Sequence, residues 1–220
     1  INHNLVYENE AINRYKNLNN IAIKGSKGKE LEALKHSILN IKNCELRNSS
    51  TNIVFSDGNP DSKIMIIGEG PGANEDLEAV PFIGKAGELL DKMLEAINLN
   101  RENVYITNVV NFRPPENRSP TEAEIKRYLP YLTKHIEIIN PKILILLGST
   151  AQNAILGNED VISKVRGQWF EKSIGKCKTS VIVSFHPAYL IRQPDQKKLS
   201  WIDLKMIRKK IIDLKIQIEK

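Results

Sequence analysis

Four short apolar runs, at residues 63–67, 104–107, 143–147 and 181–185, recur along the chain, and longer stretches with helical spacing separate them. Each run is apolar almost throughout, as strands buried on both faces require. Such alternation marks an α/β chain with a parallel, helix-covered sheet. Between the first two runs, Ala86, Leu89, Leu90, Met93, Leu94 and Ile97 fall three and four apart, on one face of a helix that packs on the sheet. Another helix begins at Ser119-Pro120-Thr121, where Thr121 and Glu124 fit a capping box and Pro120 suits a first turn. Ile125, Leu129, Leu132 and Ile136 supply its buried stripe. Residues 201–211 read as a last helix, and residues from about 4 to 39 read as helical with a break at Lys24-Gly25-Ser26-Lys27-Gly28. The expected fold is a three-layer α/β/α sandwich around a four-stranded parallel sheet.

A chain of 220 residues can bury one substantial core, so a single domain over 1–220 is expected, with a helical N-terminal extension over about 1–40. The longest apolar runs are strand-sized, too short to span a bilayer. Ile1-Asn2-His3-Asn4 lacks the basic stretch and apolar core of a secretory signal. Cys44 and Cys177 are too few for a disulfide scaffold or a four-thiolate site; they read as inert thiols in a reducing cytoplasm. No Cys/His/carboxylate grouping has the spacing of a metal site. The net charge of +6 favours a polyanionic partner, although a chain rich in Ile, Lys and Asn can acquire such a charge from genome composition alone.

In open parallel sheets ligands bind beyond the carboxyl ends of the strands, and three unusual segments fall there. Gly68-Glu69-Gly70-Pro71-Gly72 follows the first run, Asn108 the second, and His186-Pro187-Ala188-Tyr189-Leu190-Ile191-Arg192 the fourth. The first loop lacks the Lys-Ser/Thr ending of a P-loop, and Pro71 breaks the dinucleotide fingerprint, so a nucleotide cofactor fits poorly. Its glycines either let backbone N–H groups approach a planar ligand or serve a tight turn. Asn108 and His186 would each pass singly for a structural residue; together on one rim they point to function.

These segments resemble the signatures of the family-four uracil-DNA glycosylases. The first spans Gly68-Glu69-Gly70-Pro71-Gly72, Glu75-Asp76 and Pro81-Phe82-Ile83-Gly84-Lys85-Ala86-Gly87; the second spans Asn108-Val109-Val110, Arg113-Pro114-Pro115 and Asn117-Arg118-Ser119-Pro120; the His186 segment is the third. The resemblance implies an enzyme that flips uracil out of single-stranded DNA or U·G pairs and hydrolyses its N-glycosidic bond, leaving an abasic site without cutting the strand. A broader deaminated-base glycosylase and a non-catalytic uracil-DNA binding protein are the alternatives. A monomer is expected, acting on nucleoid DNA in the cytoplasm.

Site roles follow from the resemblance for Phe82 and Glu75, and from the chemistry of the base, the leaving group and DNA contacts for the others. Phe82 stacks on the flipped ring, and Asn108 accepts from uracil N3–H while donating to O4. Glu75 excludes the thymine methyl, and Gly72 belongs to the same uracil-binding set. His186 donates to uracil O2 with help from backbone N–H groups near Gly70. Glu69 either positions water or steadies its loop. Arg113, Arg118 and Arg192 contact phosphates or hold the gap left by the base, and Leu190 is the wedge. Trp169 and Trp201 are expected in the core. Two departures stand out. Of four cluster-ligating cysteines common in the family, the matching positions here are Ile41, Cys44, Phe112 and Tyr128, so no iron–sulfur cofactor is expected. Ala79 stands where a glycine is usual.

Overall fold

The computed structural model describes residues 26–157 and 160–218, so the helical reading of residues 4 to 25 lies outside the described residues. Helices α1 (Ser26–Leu39) and α2 (Glu45–Ser49) precede strands β1 (Asp57–Gly58) and β2 (Ile64–Gly68). Helices α3 (Ala73–Glu78) and α4 (Lys85–Glu95) lead to β3 (Tyr105–Asn108), and α5 (Glu122–Ile139) leads to β4 (Ile143–Leu147). Then come α6 (Ser149–Leu156), α7 (Ile162–Val165), β5 (Trp169–Ile174) and β6 (Cys177–Ser184), and finally α8 (Pro187–Arg192) and α9 (Lys197–Asp213).

The sheet has six strands in the order β1-β3-β2-β4-β6-β5. Its four central members are the four apolar runs, and they pair in parallel. The expected four-stranded sheet is corrected at both edges, where β1 and β5 pair antiparallel with β3 and β6. Neither edge strand is an apolar run: β1 has two residues, and β5 carries Glu171 and Lys172 in a half-exposed ribbon. Short or charged strands suit an edge, because they do not invite pairing with another chain.

Successive residues of the central strands feed two cores. Met65, Ile67, Leu144, Leu146, Val181 and Val183 join residues of α1 and α5, among them Leu31, Ile38, Leu132 and Ile136. Ile64, Ile66, Ile143, Ile145 and Ile182 join Leu90 and Leu94 of α4 and Leu204, Ile207 and Ile211 of α9. Helices therefore cover both faces. The α5 start is as its sequence implies: Glu124 N–H donates to Thr121 Oγ1 at 3.3 Å, and Thr121 N–H to Glu124 Oε2 at 2.7 Å. Trp201 departs from expectation at 44% exposed, because Ser200, Asp203, Leu204 and Ile207 take the inner face of α9. Trp169 is half-buried on β5, with Lys210 Nζ 5.1 Å from its ring centroid. Among the described residues no helix is long and apolar enough to cross a membrane.

One buried group links this packing to pH. The His135 ring stacks on Phe55 at 4.6 Å, and its Nε2 lies 2.8 Å from the Tyr105 hydroxyl. Burial pushes its pKa down to about 3. In the unfolded chain the same ring titrates near 6.5, so between these values the unfolded state binds more protons. The contribution is complete above pH ~6.5 and is lost as pH falls towards 3. The urea midpoint should be level from pH 8 to 7 and decline steadily from about 6.5 downward; a midpoint unchanged at pH 5 would contradict a buried neutral imidazole.

Candidate active site

The strand ends converge as the parallel pairing requires. Gly68 closes β2 and pairs with Asn108, which closes β3, and His186 caps α8 just beyond β6. Asn108 is 3% exposed, and its Oδ1 is buried without a hydrogen-bond partner among the described residues. A Cβ on Gly68 would lie 2.4 Å from that oxygen and 2.4 Å from Cζ of Phe82. Only a residue without a side chain lets the amide and the ring meet there. The Phe82 ring centroid is 5.5 Å from that of His186.

The histidine has a defined proton. Its Nδ1 accepts from Ala188 N–H at 3.2 Å, which leaves the proton of the neutral ring on Nε2. Burial is the main reason its pKa is pushed down to about 4; Glu69 opposes that shift and Arg192 adds to it. At neutral pH it is an uncharged donor.

Glu75 lies at the start of α3 and spans two loops. Its Oε1 accepts from Ile83 N–H and Gly84 N–H, each at 3.0 Å, and Oε2 from Gly72 N–H at 3.2 Å. The carboxylate thus joins the glycine-rich loop to the segment bearing Phe82. Asp76, its neighbour, is a structural anchor, accepting from Thr51 N–H and Asn52 N–H. Ala79 closes α3 at φ +59°, a left-handed turn that the usual glycine adopts with less strain.

A cavity of about 180 Å³ gathers Glu69, Gly70, Gly72, Glu75, Phe82, Asn108, Arg118 and His186. A wider cleft of about 730 Å³ shares Glu69, Gly70 and His186 with it and reaches Arg192. Arg118 is paired with both oxygens of Glu124, at 2.7 and 2.8 Å, which holds that carboxyl down at about 2. Arg113 lies outside both linings and donates from Nε to Asn117 Oδ1 at 2.7 Å. Leu190 requires a correction: at 1% exposed it belongs to the core with Phe185, Leu204 and Ile207, so it cannot serve as a wedge without leaving that core. Its neighbour Ile191 is the exposed apolar side chain, at 41%.

Sequence reasoning missed the groups that hold Glu69. Its Oε1 accepts from Ser119 Oγ at 3.2 Å, and its Oε2 from the Thr150 hydroxyl. Thr150 follows β4, the one central strand whose carboxyl end drew no attention in the sequence; the strand-end rule pointed there too. Arg101, whose guanidinium reaches the backbone carbonyls of Pro81 and Phe82, gave no such signal.

Residues 55–205 match the family model described as the uracil DNA glycosylase superfamily. The chain belongs to the uracil DNA glycosylase superfamily. It is similar to a type-4 uracil-DNA glycosylase of Sulfurisphaera tokodaii, 41% identical over 183 residues that cover 81% of this chain and 83% of that protein. A type-4 uracil-DNA glycosylase of Thermotoga maritima is 42% identical over 163 residues, covering 74% and 83%. One of Archaeoglobus fulgidus is 38% identical over 181 residues, covering 80% and 91%.

In this chain the four positions that the resemblance matches to cluster ligands, Ile41, Cys44, Phe112 and Tyr128, all enter the first core. They do not fit the cluster. Four thiolates are required, and here a single thiol stands beside an isoleucine, a phenylalanine and a tyrosine at the other three positions in the sequence match. Cys44 Sγ lies 3.2 Å from the Tyr128 hydroxyl, and burial together with Cys44 drives the phenol pKa up, so no second anionic ligand is at hand. Purified protein should carry no stoichiometric iron and no broad visible absorption; iron near four atoms per chain would overturn this reading.

Proposed function

We propose that the chain is a monofunctional uracil-DNA glycosylase, which receives uracil extruded from DNA and hydrolyses its N-glycosidic bond. The observation that carries this reading is the orphaned Asn108 Oδ1, a buried acceptor in the wall of a base-sized cavity beside an aromatic ring. A buried acceptor left unpaired costs on the order of 1–3 kcal/mol. Uracil N3–H supplies the missing donor, and the amide nitrogen of Asn108 meets O4. Cytosine presents the opposite pattern at both positions, so the same amide rejects it.

Each neighbour has a separate task. Phe82 stacks on the ring, and such stacking is worth about 1–3 kcal/mol with little regard for base identity. Glu75, with both oxygens held by backbone N–H groups, is a fixed wall against the pyrimidine edge where thymine carries its methyl. When the bond from C1′ to N1 breaks, its electron pair passes to the base and negative charge grows on O2. The neutral His186 Nε2–H stabilises that charge, aided by backbone N–H groups at Gly70; a donor already oriented in a dry site needs little reorganisation. Glu69, held by Ser119 and Thr150 where the two cavities meet, orients the water that adds to C1′. The water's proton goes to solvent and the uracil anion takes one up, leaving an abasic sugar. Arg118 and Arg192 flank the openings, and with Arg113 they meet phosphates. Extrusion is cheapest from single strands and U·G pairs, so these are the preferred substrates, met by a single chain acting on nucleoid DNA.

Single-turnover cleavage at saturating enzyme, run beside equilibrium binding, tests the assignment. His186→Ala should slow base release by on the order of 10²–10³, with a smaller change in DNA affinity. Phe82→Ala should act mainly on affinity, and Asn108→Ala on both rate and the preference for uracil over cytosine. Folded His186→Ala protein with near wild-type turnover would refute the mechanism. Because burial already holds His186 neutral with a pKa of about 4, the wild-type rate should show no inflection near pH 6.5. A rate that falls or rises through that pH with the fold intact would assign an ordinary, solvated imidazole.

A further inference from the structure

Phe82 is an aromatic residue at φ +56°, in the left-handed region that bulky L residues avoid. Such a conformation persists only where the surroundings over-determine it. On its C-terminal side Glu75 takes the N–H groups of Ile83 and Gly84. On its carbonyl side stands Arg101, in the 3-10 turn Arg101–Asn103 before β3. One guanidinium donates to Pro81 O at 3.0 Å and to Phe82 O. Its other N–H groups are fixed by two carboxylates: Nε by Asp91 Oδ1 of α4 at 2.9 Å, and one terminal nitrogen by Asp57 Oδ2 of β1 at 2.6 Å.

The cluster is closed to water, the side chains of Arg101, Asp57 and Asp91 being 5%, 6% and 9% exposed. Burial opposes the Arg101 charge, but Asp91 and Asp57 outweigh it and raise its pKa, so the cation is permanent. A planar fork reaches two carboxylates and two carbonyls at once; an ammonium is a point charge and cannot. The helix that carries Asp91 presses on the same spot. A Cβ on Gly87 of α4 would lie 1.7 Å from Phe82 O, so the carbonyl is enclosed by α4 as well as bonded by Arg101.

Resting on the reading of Phe82 as the stacking wall, we propose that Arg101 is a positioning residue of the uracil pocket: clamped by Asp57 and Asp91, it fixes the Phe82 carbonyl and thereby the plane on which the base stacks. It touches neither base nor sugar. Its loss therefore acts through Phe82, on binding of the flipped base, and leaves the His186 and Asn108 steps in place.

The test is a double-mutant cycle read by equilibrium binding of a uracil-containing single strand and by single-turnover rate at saturation. Arg101→Lys should weaken binding on the order of tenfold, comparable with Phe82→Ala, while the saturated rate changes less than about threefold. In the Phe82→Ala background the same substitution should add less than about twofold, because residues acting through one contact are not additive. Effects that multiply in the double variant, or a folded Arg101→Lys protein with wild-type affinity, would overturn the proposal. Should Arg101→Lys fail to fold by its urea transition, Asp57→Asn keeps the shape and one carboxylate. It should give a smaller loss of affinity that again vanishes without Phe82, and a loss that persists there would count against the clamp. Wild-type protein that releases no uracil would remove the function and this proposal together, whereas uracil release with multiplying effects removes the proposal alone.

Discussion

Parallel pairing of β3, β2, β4 and β6 obliges all four strands to end on the same rim, and the site depends on that constraint. The connections decide where on the rim a ligand fits. The helix α4 that follows β2 packs into the second core, while α5, which follows β3, packs into the first. Neighbouring strands thus send their chains to opposite faces, and a crevice opens between their ends, at the Gly68 and Asn108 pair. The amide, the Phe82 ring and the histidine converge there because the topology leaves that gap. Gly68 keeps it usable, since any side chain would occupy the space of both the Asn108 oxygen and the Phe82 ring.

The site concentrates features that would each weaken an ordinary core. It contains an unpaired buried acceptor, a histidine stripped of its ordinary proton affinity and an aromatic residue in a left-handed conformation. Stability and function pull in opposite directions here, and the surroundings offset the difference with bonds to backbone. Glu75 satisfies three N–H groups, Arg101 satisfies two carbonyls, and Ala188 N–H fixes the imidazole tautomer. A charged imidazole would need either water or a close carboxylate in that pocket. A neutral ring needs neither, so its burial there costs less than that of a charged one.

Most of this was legible in the sequence where a physical rule has a local signature. Strands buried on both faces read as continuous apolar runs, and all four were found; Thr121 and Glu124 announced the start of α5; residues at the strand ends announced the pocket. The edges were not legible in the same way. β1 is too short for any periodicity, and β5 alternates charge with half-buried residues, a pattern that reads as a loop until its hairpin with β6 is seen. The third signature segment shows another limit: its pattern names Leu190, but the turn of α8 puts Leu190 in the core and Ile191 outside, a rotation that spacing over six residues cannot fix. Arg101 was invisible because its partners lie 10, 19, 20 and 44 residues away and two of them are backbone carbonyls.

The four positions that the family resemblance matches to cluster ligands are instructive for the same reason of distance. Ile41 and Cys44 share the connection between α1 and α2, Phe112 follows β3 and Tyr128 lies in α5, so four thiolates at these places would tie three separate segments to one metal group. In this chain the same segments meet through apolar contact, through a hydrogen bond between the Cys44 thiol and the Tyr128 phenol, and through Arg127 of α5, which donates to the carbonyls of Lys42 and Asn43. Apolar burial stabilises by about 25 cal/mol per Å² without any geometric demand on ligands, so packing can take over a purely structural tie. The Phe82 ring sits in the second core, across the sheet from these residues. Packing can therefore join the segments on their face, while the amide, the ring and the histidine are held at the rim where the strands end.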